Sequence, residues 1–371
     1  MRVLHVIPSV SERSGGPATA IVPMCRALAE RGVEVVLATT SHGLTPAQTD
    51  QVKERVTARI FPVQVGESFK YSRPLKTWLD DNVKEFDLVH VHAVFNHASV
   101  AAARACRKSG VPYIVRPLGT LDPWSIKQKQ FKKRIFWRFA GKAMLERSAA
   151  VHYTTAAEKH ATEEYLGLNH GRVIPLGVKV NGLAARNRAG SDPYVLVLSR
   201  LHPKKNIEVL IDAFKSLRRG DWRLVIAGDG PCDYVAALRE RAGRAVNVVF
   251  TGWVEGEEKE ALLRGASLLA LPSQQENFGL CVMEAMAHGV PVLITPQVNL
   301  AAEIDAAGAG WVVELPHLNH RLKQIIENDT EQLVRGHAAY QLAQNYSWEK
   351  TATKLATVYR EIVNNGGANL H

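Results

Sequence analysis

The stretch from 267 to 291 constrains this chain most: an apolar run at 267–271, a polar loop, then a segment at 278–288 that is apolar on nearly every side. The first run has the length of a strand. The second has the length of a helix, and Gly289 followed by Pro291 is a stop signal. A helix with no polar face belongs inside a protein. Glu284 lies in it among Leu280, Cys281, Val282, Met283, Ala285, Met286 and Ala287, so its charge needs a partner. The free amides of Phe278, Gly279 and Leu280 at the helix start make a place for an anion or a hydroxyl group. Glu276 and Asn277 stand just outside that opening, and Glu284 falls roughly 7 Å further along the axis. One ligand can bridge both carboxylates. The plainer alternative makes Glu276 a loop acid favoured by the helix dipole and Glu284 a paired core ion.

The N-terminal half alternates strand and helix in the same way. A strand at 3–7 leads through Ser14-Gly15-Gly16-Pro17 into a helix with Ile21, Met24 and Leu28 on one face, closed by Gly32 before a strand at 33–38. Gly15 and Gly16 leave bare amides near a helix start, where a phosphate oxygen can be held; a tight turn explains the pair equally well. The run Asp-Leu-Val-His-Val-His at 87–92 reads as a buried strand with His90 and His92 on one face. His92 closes it. Ligands gather at the carboxyl edge of open parallel sheets, which puts His92 in reach of a substrate hydroxyl, while packing alone also accounts for a histidine there.

The second half opens with a strand at 194–198, followed by Ser199-Arg200-Leu201-His202-Pro203-Lys204-Lys205-Asn206. A guanidinium and an ammonium on one loop suit phosphate oxygens, the first as a bidentate fork and the second as a point charge. Gly228-Asp229-Gly230-Pro231 follows the next strand, but Asp233 stands where a dinucleotide fingerprint needs glycine, which argues against a dehydrogenase. No Asp-x-Asp occurs, and no metal site is expected.

A length of 371 residues suits two domains, and a net charge of +10 is compatible with nucleic acid, an anionic membrane face or phosphorylated substrates. The segment 127–147 concentrates Lys127, Lys129, Lys132, Lys133, Arg134, Arg138, Lys142 and Arg147 beside the apolar stripe Phe131, Ile135 and Phe139. An interfacial helix on anionic lipid and a solvated cationic helix explain it equally; no motif supports nucleic acid. Four cysteines lie far apart, as reduced, packed thiols do, and the first residues make a short strand rather than a signal peptide. A cytoplasmic protein is expected, peripheral at the inner membrane face if the basic segment touches lipid.

The run P-S-x-x-E-x-F-G-L-x-x-x-E-A-M-A-x-G-x-P-V is similar to the E-x7-E signature of retaining nucleotide-sugar glycosyltransferases of family 4. The 200–205 loop resembles the same family's R-L-x-P-x-K pattern, and Gly252-Trp253-Val254 its G-x-V turn. This resemblance implies an α/β protein of the GT-B class, two Rossmann-like domains facing across a cleft. The expected organisation is an acceptor-side domain at 1–178, a linker at 179–193, a nucleotide-sugar domain at 194–345, and a last helix at 346–371 that crosses back. It implies that Arg200 and Lys205 neutralise the departing diphosphate and that Val254 meets the nucleobase. Glu284 would hold ribose, and Glu276 with the Phe278 and Gly279 amides would hold the transferred sugar, which His92 contacts. The Gly15-Gly16 loop would face the diphosphate and the acceptor. Leu176 and Lys179 depart from the family pattern, which has Asn and Asp nearby. The implied reaction moves a hexose from a nucleotide-diphosphate sugar, UDP-linked as in UDP-glucose, to a glycan or lipid-linked acceptor in polysaccharide synthesis, with retention and no cofactor. A nucleotide-sugar 2-epimerase on this fold, and a binding module without turnover, are the alternatives.

Overall fold

The computed structural model describes residues 1–66, 69–121, 136–180, 182, 192–217 and 219–365. The chain forms two compact units, Met1–Gly177 with Trp348–His371, and Val178–Ser347. Residues 127–135 of the basic segment and most of the expected 179–193 linker lie outside the described residues. Within the described part of that segment Phe139 is 73% exposed. No described helix is long and apolar enough to cross a membrane.

Unit 1 is built on strands β1 (Arg2–Val6), β2 (Glu34–Thr40), β3 (Ala58–Phe61), β4 (Leu88–His92), β5 (Tyr113–Arg116), β6 (Ala150–Tyr153) and β7 (Gly171–Val173). They pair in the order β3-β2-β1-β4-β5-β6-β7, every described pair parallel. Such a sheet is buried on both faces, which is why its central strands read as nearly unbroken apolar runs. Leu4, Val6, Val89, Val91, Val115 and Val151 share one core. The opposite face of the same strands carries His5, His90, His92, Arg116 and His152, all buried.

The last helix, Trp348–Asn365, belongs to unit 1 and buries Thr351, Ala352, Leu355, Ala356 and Tyr359. Leu355 and Tyr359 are its large buried side chains, and the small Ala352 and Ala356 on the same face allow close packing. Gly177 meets its start, since a Cβ there would lie 2.3 Å from the Trp348 ring.

Unit 2 uses β8 (Tyr194–Leu198), β9 (Arg223–Ala227), β10 (Val248–Gly252), β11 (Leu268–Leu271), β12 (Val292–Ile294) and β13 (Gly310–Val312) in the order β10-β9-β8-β11-β12-β13. Both sheets reverse their winding once, between β1 and β4 and between β8 and β11. At such a switch point the loops leaving the two strands part in opposite directions and open a crevice at the carboxyl edge. One correction concerns the segment read as a helix over 278–288. The helix runs over Leu280–Ala287, because Gly279 adopts the left-handed conformation at φ 70° and serves as its N-cap.

Candidate active site

In unit 2 the loops after β8 and β11 are stitched together. Lys205 closes a short turn, Pro203–Lys205, and Asn206 follows it at φ 50°. From there Asn206 Nδ2 donates to the Pro272 carbonyl at 2.7 Å, the Gln274 amide donates to the Lys204 carbonyl at 2.8 Å, and Gln274 Nε2 donates to Asn206 Oδ1 at 2.9 Å. This stitching carries Lys205 Nζ onto Glu276 Oε2, where the two form an ion pair with both side chains largely withdrawn from water. Burial opposes the Glu276 charge, but Lys205, Lys204 and Arg200 together outweigh it and hold the carboxyl below its ordinary range. The Glu276 backbone is fixed too: its amide donates to the Gln297 carbonyl and its carbonyl accepts from the Asn299 amide, each at 3.0 Å.

Beyond Glu276 the amides of Phe278, Gly279 and Leu280 find no backbone acceptor among the described residues. Gly279 is favoured by its φ of 70°, and a Cβ there would also sit 3.2 Å from Val282 Cγ2, which would have to give slightly. Phe278 is buried against Tyr346, and Asn277 shares a 3.5 Å contact with Asn299. Arg200 is exposed on the same loop as Lys205, with no described ion-pair partner.

Glu284, within the helix, has the partner that its position demands. Lys259 Nζ, from the helix Gly256–Gly265, donates to Glu284 Oε1 at 2.6 Å. Burial nevertheless raises the Glu284 carboxyl above its ordinary pKa, with Lys259 opposing. His288 ties the same two helices, bonding the Glu284 carbonyl at 2.8 Å and Glu260 at 3.0 Å. Lys259 was not legible as a site residue because a lysine on an amphipathic helix reads as solvated. Gly228 and Gly230 are also explained here. A Cβ at Gly228 would lie 1.8 Å from the Ser199 carbonyl oxygen, and one at Gly230 would lie 2.0 Å from that of Leu201. The pair lets the loop after β9 press against the loop that carries Arg200. Val254, after β10, is buried.

In unit 1, Gly15 caps the helix Gly16–Ala29 at φ 98°, and its carbonyl accepts from Ala18 at 2.9 Å. His92 ends β4 with no solvent exposure; its Nε2 bonds His5 Nδ1 at 3.0 Å and its Nδ1 has no partner among the described residues. The bonding continues from Tyr359 OH to His90 Nδ1 at 2.6 Å and from His90 Nε2 to His152 Nδ1 at 3.2 Å. Burial, then the charge of Arg116, hold His5 and His152 down to about 3, so both stay neutral at ordinary pH.

Two family models divide the chain between them. One, described as glycosyl transferases group 1, matches residues 183–342; the other, a glycosyl transferase 4-like domain, matches residues 15–177. The chain belongs to the group 1 glycosyltransferases. It is a nucleotide-sugar glycosyltransferase of family 4 with the GT-B fold. The GDP-mannose-dependent alpha-(1-6)-phosphatidylinositol dimannoside mannosyltransferase of Mycobacterium tuberculosis is 25% identical over 378 residues, 96% of this chain and 95% of that protein. The D-inositol 3-phosphate glycosyltransferase of Corynebacterium efficiens is 32% identical over 179 residues, 45% of this chain and 42% of that one. Among solved structures, Anabaena HepE in complex with UDP and glucose superimposes with a TM-score of 0.78 at 21% identity, covering 97% of this chain and all of that one. Sucrose-phosphate synthase from Thermosynechococcus elongatus matches with a TM-score of 0.78 at 18% identity, covering 98% and 99%. In this group 1 glycosyltransferase the E-x7-E carboxylates are thus both ion-paired to lysines, Glu276 to Lys205 and Glu284 to Lys259.

Proposed function

We propose that this glycosyltransferase moves a hexose, with retention, from a UDP-linked donor to a glycan or lipid-linked acceptor, and that two cations of the β8 loop serve where other enzymes use a metal. The observation that carries this reading is the Lys205–Glu276 pair beside the amides of the 278–280 turn, which no described backbone carbonyl takes up. A diphosphate arriving there meets Arg200 as a bidentate fork and Lys205 as a point charge. As the bond from sugar to phosphate lengthens, negative charge grows on the leaving oxygen, and fixed cations stabilise that state most. Glu276 fixes Lys205 in place and offers its second oxygen to a sugar hydroxyl. Glu284 accepts from the ribose hydroxyls, while Val254 packs near the base.

Retention on the same face as departure follows if the leaving phosphate itself takes the acceptor proton, since each E-x7-E carboxylate is committed to a lysine. Gly15 and Gly16 would act from unit 1, the acceptor side, while His92, sealed from solvent against His5, would act only by holding that edge of the sheet. UDP is favoured over GDP by HepE, whose structures hold UDP and UDP-glucose; the mycobacterial relative uses GDP-mannose, so the base is a point for measurement. The lipid nature of that relative's acceptor supports a lipid-linked acceptor here. The test is release of nucleoside diphosphate from a panel of UDP- and GDP-sugars. Release from a UDP-hexose above all others supports the reading, and preference for GDP-mannose overturns the choice of base.

A further inference from the structure

With Val254 just before it and Lys259 upon it, the helix Gly256–Gly265 joins the two places that the proposed function gives to base and ribose. Leu263 is its one fully buried residue. A single apolar anchor leaves a helix free to pivot, so polar ties must fix its angle. Near its carboxyl end, Tyr194 OH donates to the Leu262 carbonyl at 2.7 Å. Its middle is gripped by two adjacent residues: Lys259 reaches Glu284 Oε1 at 2.6 Å, and Glu260 Oε2 meets His288 Nε2 at 3.0 Å. Neighbouring residues diverge around a helix, while Glu284 and His288 stand one turn apart on theirs, so the two contacts span the gap at separate points. Two points set an angle that one does not.

His288 makes its contact from the C-cap of the helix Leu280–Ala287. The last four carbonyls of a helix lack an intrahelical partner, and Glu284 carries one of them. His288 Nδ1 donates to it at 2.8 Å. A carbonyl and an ionised carboxylate only accept, so both ring nitrogens donate and the ring is an imidazolium. The helix dipole favours that charge at this end. The His288 side chain is 10% exposed and that of Glu260 30%, so water screens the pair only in part. One side chain thus caps the turn that carries Glu284 and anchors the helix that carries its counterion. Burial and then Lys259 act most on the Glu284 carboxyl, and Glu260 and His288 push it in opposite senses. What the pair adds is position.

We propose that His288 and Glu260 are positioning residues for the donor: they set the angle of the helix 256–265, hold Lys259 on Glu284, and so keep the Glu284 carboxylate placed for the ribose hydroxyls. They act through Lys259 and Glu284, and the proposal rests on the reading of Glu284 as the ribose acceptor.

The experiment is isothermal titration of the full chain with UDP and 2′,3′-dideoxy-UDP, and with GDP and 2′,3′-dideoxy-GDP, the tighter-binding base being followed. Wild type should favour the ribose form by about tenfold or more, the scale of one hydrogen bond to a charged group. His288→Gln keeps a donor and loses the charge; Glu260→Gln removes the counterion from a partly exposed position that tolerates substitution. Each should weaken the ribose nucleotide about three- to tenfold and leave the dideoxy form within about a factor of two. The double variant should lose no more than either single one, because the contact is already gone. His288→Arg, which keeps a charged donor, should recover most of the preference. Equal losses for the ribose and dideoxy forms, or no loss, overturn the proposal, since a merely structural role does not tell the two nucleotides apart. A wild type indifferent to the ribose hydroxyls overturns it too, but there the failure lies in the reading of Glu284, and wild type alone reveals it.

Discussion

Lys205 and Glu276, 71 positions apart in the chain, form one ion pair at the carboxyl edge of the unit 2 sheet. Each is the other's counterion, so neither can be removed without exposing the remaining charge to a poorly solvated site. Lys205→Ala should therefore cost stability, by at most about 3–5 kcal/mol, and adding Glu276→Gln should restore most of it while leaving turnover low. Urea unfolding of the two single variants and the double variant checks this. Additive losses would mean that the pair is not coupled.

Lys259 should matter to donor affinity although no motif marks it. Burial already raises Glu284 above the ordinary carboxyl range, and Lys259 is the charge that opposes the rise. Lys259→Met should shift Glu284 further up, so more of it is protonated at mildly acid pH and fewer acceptor sites remain for ribose. The expected result is a donor KM that rises with kcat nearly kept, more at pH 6 than at pH 8, and that Lys259→Arg largely restores. A KM change of the same size at both pH values would remove Glu284 ionisation from the account.

The sequence displayed the loops of unit 2 well and the histidine layer of unit 1 poorly, for a physical reason. Arg200, Lys205, Glu276 and Gly279 sit in short polar interruptions of apolar runs, where side-chain chemistry is visible locally. His90 and His92 were seen to share a face, and their rings do lie 4.2 Å apart. Their partners His5, His152, Arg116 and Tyr359 come from three other strands and the last helix, so only the parallel register unites them. The start of the 280–287 helix was misplaced by two residues because Gly279 can end a loop as easily as begin a turn of helix.

That layer should make the protein acid-sensitive. A histidine held neutral by burial binds its proton in the unfolded chain first, so the stability it contributes is full above the unfolded pKa near 6.5 and is lost as pH falls toward about 3, the folded value for His5 and His152. Each such histidine adds roughly 1.4 kcal/mol per pH unit to the slope within that window. Unfolding midpoints between pH 7 and pH 4 should fall steeply, and His152→Gln should flatten the slope by about one proton. A flat profile would show the layer to be solvated.

Gly228→Ala should weaken donor binding without touching any donor contact. At φ 146° a methyl group there would run into the Ser199 carbonyl oxygen, so the loop carrying Arg200 must move. Isothermal titration with UDP should show at least about a tenfold loss, the scale of one displaced charge-assisted contact. Unchanged affinity would mean that the loop after β9 does not position Arg200.

Stabilisation of the departing diphosphate by Arg200 and Lys205 is what sets this enzyme's chemistry in the proposed reading. The most direct measurement is UDP release from the preferred UDP-hexose in excess EDTA, for wild type and Lys205→Ala, with kcat and KM resolved separately. Full wild-type turnover in EDTA is expected, with a kcat loss on the order of 10² to 10³ in Lys205→Ala and KM little changed. Turnover abolished by EDTA and restored by Mg²⁺ or Mn²⁺, or a Lys205→Ala effect confined to KM, would contradict it.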